Sequence, residues 1–280
     1  MDAEETNPAE LEWWGLTDKG PFRKNNEDAF IALTFNQYET HLLGKEGEAN
    51  FELGDFVFAV SDGMGGANAG EFASRIAVSK ITERFPKQYR TDWINKEGAH
   101  EEALKRLFEV IHAEMLVMGM HYEECAGMGA TLSLIWLTPG KGYFCHVGDS
   151  RIYNLKKDGT LLQLTEDHTH VGWLFREGKI NEREARYHRG RHVLEMSLGG
   201  KRAEVQPQTG FVDLEPGDRF IICSDGLIEG LWDNSIKKLL TTPPPRVADL
   251  APAERLMVEA LSESGRDNTT VLVLEVGQVE

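Results

Sequence analysis

Four aspartates each lie beside a run of apolar residues, at widely separated points of the chain. Asp62, Asp149 and Asp225 come just after such a run, and Asp267 comes just before the last one. Because short apolar runs are typical of buried strands, each aspartate is predicted to lie at a strand end. Carboxylates that converge on one end of a sheet repel one another unless they bind protons or cations. Oxygen ligands favour Mg²⁺ or Mn²⁺, so the pattern predicts a site for two divalent cations.

Composition narrows the class of protein. The chain has 280 residues and a formal net charge of -16, which argues against a nucleic-acid partner. No linker divides it, so we expect a flexible acidic N-terminus at residues 1–10 and one domain at residues 11–280. The N-terminus does not resemble a secretory signal, and no apolar run approaches the roughly 20 residues needed to span a membrane. The three scattered cysteines favour a reducing, cytoplasmic location over a disulfide framework or a zinc site.

Hydrophobic patterns predict mostly strands with a few long helices. Strands are expected near residues 12–18, 28–34, 56–61, 129–137, 142–148, 151–155, 219–224 and 269–276. Helices are expected near residues 69–85, 101–118 and 246–263, loops at 36–54 and 86–100, and a turn at 241–246. Strands and helices do not alternate regularly. That order favours antiparallel sheets with helices packed outside them.

The segment SDGMGGANAGEFAS, residues 61–74, is the strongest local signal. Asp62 is predicted to open a tight turn, so that its carboxylate and the carbonyl of Gly63 can address one metal ion. A helix is expected to begin near Asn68, with Glu71 three residues later as a capping residue rather than a ligand. A single Asp-Gly turn is usually structural. The three other aspartates favour the metal interpretation.

A polar segment at residues 20–30 adds Arg23, Glu27 and Asp28 at the start of another strand. The planar guanidinium of an arginine beside metal ions can clamp a phosphate group. The two carboxylates could orient metal-bound waters. The alternative is a polar loop held by a salt bridge.

The motifs, taken in order, resemble a known family. They are RKNNEDAF, SDGMGGANAGEFAS, GMGATLSLIWL, FCHVGDSRIYNL, LTEDHT, ICSDGLIEGL and RDNTTVLVLEV. This ordered set, from about residue 12 to residue 276, resembles the metal-dependent protein phosphatases of the type 2C serine/threonine class. The compact length and the segment at 178–200 resemble the bacterial branch. The resemblance implies an α+β fold, a four-layer α-β-β-α sandwich of two antiparallel sheets flanked by helices.

The resemblance also implies hydrolysis of phosphoserine and phosphothreonine in proteins by a metal-activated water. By the family pattern, Asp62 bridges two Mn²⁺ or Mg²⁺ ions and the carbonyl of Gly63 binds one of them. Asp225 and Asp267 complete the binding of the second ion. Asp149, together with Asp225, matches the residues that hold a weaker third ion.

Four further positions match the family pattern outside the ligand set. Arg23 matches the phosphate-binding arginine, and Glu27 and Asp28 match residues that hold metal-bound water. Asn268 matches a supporting position beside the last ligand. The implied partners are phosphorylated proteins, substrates of a serine/threonine kinase in signalling.

Two departures from the family pattern concern the proton donor and the substrate contacts. Met64 stands where some members carry a histidine proposed as general acid, and a thioether cannot donate a proton. His168 cannot be assigned that task from the sequence, and a structural role at a strand end is the simpler interpretation. The segment LEMSLGG lacks the arginine that bacterial relatives often place there, which leaves the substrate contacts open.

The segment at about residues 169–205 is predicted to form a flap. Within it, residues 176–202 carry eight Lys or Arg against four Asp or Glu, in an otherwise acidic chain. A basic rim could draw a phosphoryl group toward the acidic site, with Arg189 and Arg191 as candidates. The alternative is a solvated, salt-bridged helical hairpin.

Two other functions remain as alternatives. One is a regulatory binding module that has the phosphatase fold and weak or no catalysis. The other is a two-metal nuclease or phosphodiesterase, which the net charge disfavours.

Overall fold

The computed structural model describes residues 10–65, 69–88 and 98–277. The strands are β1 (Leu11–Asp18), β2 (Asp28–Phe35), β3 (Thr40–Leu42), β4 (Glu46–Ala49), β5 (Asp55–Met64), β6 (Gly129–Ala130), β7 (Leu132–Thr138), β8 (Lys141–Val147), β9 (Arg151–Leu155), β10 (Leu161–Gln163), β11 (Leu198–Gly199), β12 (Gln208–Asp213), β13 (Arg219–Cys223) and β14 (Thr269–Val276). The helices are α1 (Ala69–Gln88), α2 (Ala99–His121), α3 (His170–Arg176), α4 (Glu182–Tyr187), α5 (Asp225–Gly230), α6 (Asp233–Thr241) and α7 (Pro252–Glu263).

Two antiparallel sheets form the centre of the fold. The first has the order β10-β9-β13-β14-β1-β4, and the second has the order β12-β8-β7-β5-β2-β3. The short strands β6 and β11 extend the second sheet beyond the end of β5. Helices α1 and α2 pack on the second sheet, and α5 and α7 pack on the first. This arrangement confirms the α-β-β-α sandwich.

The central strands are buried on both faces, which explains their unbroken apolar runs. In β14, Leu272 and Leu274 belong to the core between the sheets, whereas Val271 and Val273 belong to the core beneath α5, α6 and α7. Successive side chains of a strand point to opposite faces, so both faces must be apolar when both are covered. Such a strand shows no polar alternation.

Each predicted strand and the first two predicted helices are present, but the last helix was predicted too long. It begins at Pro252 rather than at residue 246, because proline suits the first helical turn and Glu254 accepts a hydrogen bond from the backbone N–H of Ala251 at 3.1 Å. Residues 36–54 contain β3 and β4 besides loops. Residues 1–9 and 89–97, which cover most of the predicted N-terminus and part of the second predicted loop, lie outside the described residues.

Cys125, Cys145 and Cys223 are buried free thiols. Across the described ranges, no helix combines the length and apolarity that crossing a membrane requires.

Asp55 is a partly buried carboxyl group at the start of β5, away from the metal-ligand candidates. One of its oxygens accepts a hydrogen bond from Trp136 Nε1 at 3.0 Å. Burial raises the pKa of Asp55 to about 6, and the hydrogen bond from Trp136 opposes that rise only in part. The folded protein therefore binds this proton more tightly than the unfolded chain does.

The raised pKa of Asp55 predicts a pH-dependent contribution to stability. Stabilisation by the bound proton is fully present below the unfolded pKa of about 4 and is lost as the pH rises through 6. Asp55→Asn keeps an oxygen for Trp136 and removes the titration. Between pH 4 and pH 7 the free energy of unfolding of this variant, relative to wild type, should rise by about 2 kcal/mol. Urea unfolding at each pH measures it, and parallel curves would contradict the account.

Candidate metal centre

The metal-ligand candidates meet in one cleft of about 560 Å³ at the end of the sandwich. Strand ends, loops and the first turn of α5 supply its walls. The lining residues that the sequence singled out are Arg23, Glu27, Asp62, Gly63, Met64, Asp149, Arg191, Asp225 and Asp267. Residues from all parts of the chain therefore converge, as the sequence predicts.

Asp62 lies within a strand, so the prediction that it opens a turn is wrong. It pairs with Asp28 across β5 and β2, and β5 continues to Met64. The backbone N–H of Asp62 also donates to Thr131 Oγ1 at 3.0 Å, which holds this strand end in place. The Asp-Gly sequence suggested a local turn, but pairing with β2 keeps the backbone extended.

Gly63 is required by a close approach of backbone atoms. A Cβ atom at this position would lie 1.9 Å from the carbonyl oxygen of Gly70, at the start of α1. The backbone N–H of Gly63 donates to the carbonyl of Glu27 at 3.0 Å. Glycine thus lets α1 and the β1–β2 loop meet beside the cleft.

The start of α1 is described only from Ala69, so the expected beginning at Asn68 and its capping box lie outside the described residues. Glu71 forms an ion pair with Arg75 at 2.9 Å. Among the described residues, Glu71 is not part of the cleft lining.

Asp149 lies on the β8–β9 loop, which hydrogen bonds with the buried His146 and the partly buried His168 hold in place. His146 Nε2 donates to the carbonyls of Gly148 at 3.0 Å and Glu166 at 3.1 Å. Burial lowers the pKa of His146 to about 3, so this imidazole is neutral. His168 Nδ1 accepts from the backbone N–H of Gly148 at 3.1 Å, which gives His168 a structural contact at the strand end.

Asp267 and the neighbouring Asn268 are held by contacts with the β1–β2 loop. Arg23 donates to its Oδ2 at 2.5 Å. Asn268 donates to the carbonyls of Lys19 and Asn25, each at 2.9 Å, and its Oδ1 accepts from the backbone N–H of Glu27 at 2.8 Å. Asn268 therefore ties the β1–β2 loop to the strand that follows Asp267.

Asp28 is buried beside these carboxylates. Ser224 Oγ donates to its Oδ2 at 2.6 Å. Burial raises the pKa of Asp28 to about 7, the hydrogen bonds from Ser224 and Thr270 oppose that rise, and the charges of Asp225 and Asp267 add to it. Asp28 therefore holds its proton near neutral pH more readily than an ordinary aspartate.

The other carboxylates show the same effect of burial and mutual repulsion. Burial raises the pKa of Asp62 well above its usual value, and the charges of Asp28, Asp225, Asp149 and Asp267 raise it further. Burial and the charge of Asp225 likewise raise the pKa of Asp149 and Asp267. The cluster is therefore unfavourable as a set of bare anions.

Two carboxylate oxygens in this cluster lack partners. Asp28 Oδ1 and Asp225 Oδ1 are buried and have no hydrogen-bond partner among the described residues. A buried, unpaired carboxylate oxygen is costly, so each calls for a proton or a cation. The all-oxygen donor set fits Mg²⁺ or Mn²⁺.

The carboxylate side chains lie too far apart, as they are placed, to bind one metal ion together. Within the described ranges, no three acidic, imidazole or thiol groups are close enough together to hold an ion as they are placed. Arg23 forms an ion pair with Asp267, and His192 Nδ1 lies 3.4 Å from Asp225 Oδ2. The residues fit divalent cations in chemistry, and binding them requires these side chains to move.

Several residues of the cleft were missed by sequence reasoning. They are Thr131, Leu194, Glu229 and Arg266. Glu229 had a usable signal, because it follows Asp225 by four residues and so lies on the same face of α5. Of the two flap candidates, Arg191 lines the cleft, whereas Arg189 is not among its described lining residues.

A family model described as Protein phosphatase 2C matches residues 49–267. The chain belongs to the protein phosphatase 2C family. The serine/threonine protein phosphatase PstP of Mycobacterium tuberculosis is 32% identical over 95% of this chain and 45% of PstP, so the chain spans about half of that relative. Protein phosphatase PhpP of Streptococcus pneumoniae is 30% identical, over 94% of this chain and 96% of PhpP.

A solved structure of the family extends the comparison to three dimensions. The catalytic domain of PstP, in complex with two manganese ions, has a TM-score of 0.70 and 32% identity over 96% of this chain and 99% of that one. These bacterial relatives confirm the resemblance to the bacterial branch of the protein phosphatase 2C family.

Repulsion within the cluster predicts opposite effects of one substitution with and without metal. Asp62→Asn removes a carboxyl group that ionises readily in the unfolded chain but not in the folded cluster, so in chelator the melting temperature should rise by about 2–4 °C. With Mn²⁺ the order should reverse, because the variant loses a ligand and with it the stabilisation that binding provides. Thermal unfolding with and without Mn²⁺ measures both effects. A variant less stable than wild type in chelator would contradict the repulsion.

Proposed function

We propose that this chain is a protein phosphatase that hydrolyses phosphoserine and phosphothreonine in proteins at a site for two Mn²⁺ or Mg²⁺ ions. The observation that carries the proposal is the cluster of partly buried aspartates that line one cleft, where Asp225 Oδ1 is buried and has no described hydrogen-bond partner. When bound, the ions would supply a water that is deprotonated at neutral pH and would polarise the phosphoryl oxygens. Membership of the protein phosphatase 2C family supports the same activity.

The aspartates that line the cleft would hold the ions after an adjustment of their side chains. Asp62 would bridge both ions, and the carbonyl of Gly63 would bind one of them. Asp225 and Asp267 would bind the second ion. Asp149, with Asp225, would bind a weaker third ion. Strand pairing and buried hydrogen bonds hold the backbone of these residues, so that only side chains need to adjust.

Arg23 would bind the phosphoryl group. Its side chain is 46% exposed at the cleft and now pairs with Asp267. When Asp267 turns toward a cation, the planar guanidinium becomes available to two oxygens of one phosphate. Arg23 can then hold the phosphorus in line with the attacking water. Such orientation of the reacting groups lowers the activation barrier.

Glu27 and Asp28 would hold water in the cleft. Burial raises the pKa of Glu27, and the nearby charge of Arg23 opposes that rise. Asn268 and Ser224 fix these two residues through the backbone of Glu27 and the carboxyl of Asp28. Their oxygens can accept hydrogen bonds from water and orient it. Met64 lines the same cleft, but its thioether cannot donate a proton to the leaving group.

The surroundings of the cleft favour a protein substrate. A second cavity of about 470 Å³ adjoins it beneath α3 and α4 and shares Asp149, Arg191 and Asp225 with it. Room beside the phosphate site suits a residue that flanks a phosphorylated side chain. We accordingly propose one domain at residues 11–280 with a flap at about 169–205, acting in the cytoplasm on proteins phosphorylated by a serine/threonine kinase.

Hydrolysis of an aryl phosphate tests the proposed function. The protein should hydrolyse it with Mn²⁺ and lose activity in excess chelator. Asp225→Asn should lower kcat about a thousandfold, since a ligand of the activating ions is lost. Asp213→Asn is the matched control, because its side chain is 73% exposed on β12.

Three results separate the possible functions. Hydrolysis of the aryl phosphate at an unchanged rate in excess chelator would contradict the metal mechanism. A folded protein that binds Mn²⁺ but hydrolyses neither an aryl phosphate nor a phosphopeptide would favour the regulatory binding module. Hydrolysis of a phosphodiester in preference to the monoester would favour the phosphodiesterase.

A further inference from the structure

Glu229 receives three cationic side chains from one segment of the chain. It lies one helical turn after Asp225 on α5, and its side chain is 15% exposed. Its Oε1 lies 3.2 Å from Arg191 Nη2 and 3.1 Å from His192 Nε2. Its backbone carbonyl accepts from Arg186 Nη1 at 3.2 Å. These cations all belong to residues 169–205, so Glu229 is where this segment attaches beside the cleft.

Arg186 strengthens the same attachment. Its Nη2 donates to the carbonyl of Leu231 at 2.7 Å, and its guanidinium lies 4.0 Å from the centre of the Trp232 ring. Carbonyls at the end of a helix need donors, and a cation is favoured there by the helix dipole. The end of α4 is thus fixed on the end of α5.

Other cations of the segment are directed elsewhere. Arg176 pairs with Glu166 at 3.0 Å, and Lys179 lies 3.7 Å from the centre of the Trp173 ring. Arg191 and His192 therefore contact Glu229 specifically, whereas Arg176 and Lys179 of the same segment have other partners. Hydrogen bonds from His192 and Arg191 lower the pKa of Glu229, which keeps it anionic at neutral pH.

The place of Arg191 and His192 determines the shape of the substrate cleft. Both line the cleft of the metal centre and also the adjoining cavity beneath α3 and α4. The far wall of that cavity includes Phe175 and Tyr187. Movement of the two cations would change both the charge at the cleft and the opening between the two cavities.

We propose that Glu229 is a positioning residue that holds Arg191 and His192 at the junction of the two cavities and thereby sets the recognition of residues that flank the phosphorylated side chain. This inference rests on the proposed phosphatase function. Arg191 is 36% exposed and His192 45%, so their ion pairs add little to overall stability. Their importance lies in where they place two charges.

The variant Glu229→Gln tests the inference with two substrates. It keeps the size of the side chain and removes its charge, so the flap cations lose their common partner. For a phosphoserine peptide KM should rise about tenfold. The fall in kcat/KM for the peptide should exceed the fall for an aryl phosphate, which does not reach the second cavity. Glu177→Gln is the matched control, since Glu177 is exposed, belongs to the same segment and lines neither described cavity.

Two further measurements use readouts other than hydrolysis of the peptide alone. Chymotrypsin should cleave after the exposed Tyr187 faster in Glu229→Gln than in wild type, because Arg191 and His192 no longer hold the chain just after Tyr187, although Arg186 still holds α4 through backbone carbonyls. In a double-mutant cycle with Arg191→Gln, the double variant should be little worse than either single variant, since both remove one interaction.

Specific results would overturn the inference. They are equal losses for both substrates, additive losses in the cycle, or unchanged cleavage after Tyr187. A large loss of Mn²⁺ affinity in Glu229→Gln would make Glu229 a metal ligand instead of a positioning residue. If wild type fails to hydrolyse the aryl phosphate with Mn²⁺, the proposed function fails. If wild type is active and only the Glu229 predictions fail, the proposed function stands.

Discussion

Repulsion between partly buried carboxylates at one end of the sandwich is the constraint on which the site depends. Burial and the neighbouring charges raise the pKa of Asp62, Asp149 and Asp267, and two carboxylate oxygens of the cluster have no described partner. Like charges at such a place require protons or cations. Arg23 and His192 neutralise part of the charge within the chain itself. Divalent ions would neutralise the rest, which makes metal binding favourable.

The fold keeps the carboxylates from relaxing this repulsion by moving apart. Pairing of β2 with β5 sets Asp28 opposite Asp62, and Asn268 fixes the β1–β2 loop to the start of β14. Neutral His146 holds the loop that carries Asp149. Such buried, satisfied hydrogen bonds are what preorganise a functional site. The attachment of residues 169–205 to Glu229 places further cations next to this rigid cluster.

The sequence predicts well the apolar strands that lie beside the ligand candidates, because burial on both faces gives such strands a clear signal. It fails where structure depends on distant contacts. Asp62 remains in a strand because β2 pairs with it, whereas the local Asp-Gly sequence favours a turn. Helices α3 and α4, of seven and six residues, span fewer than two helical turns, which is too short for a hydrophobic pattern to identify them. The contact of His192 with Glu229 exists only once α4 packs beside α5.

Proton release on metal binding tests the central claim most directly, namely that the carboxylate cluster requires cations. Carboxyl groups with raised pKa values hold protons in the metal-free protein, and Mn²⁺ must displace them. Calorimetric titration with Mn²⁺ in two buffers of different ionisation enthalpy measures the number released. The account predicts a clear release of protons at pH 6.5. Binding with the same heat in both buffers at pH 6.5 would contradict it.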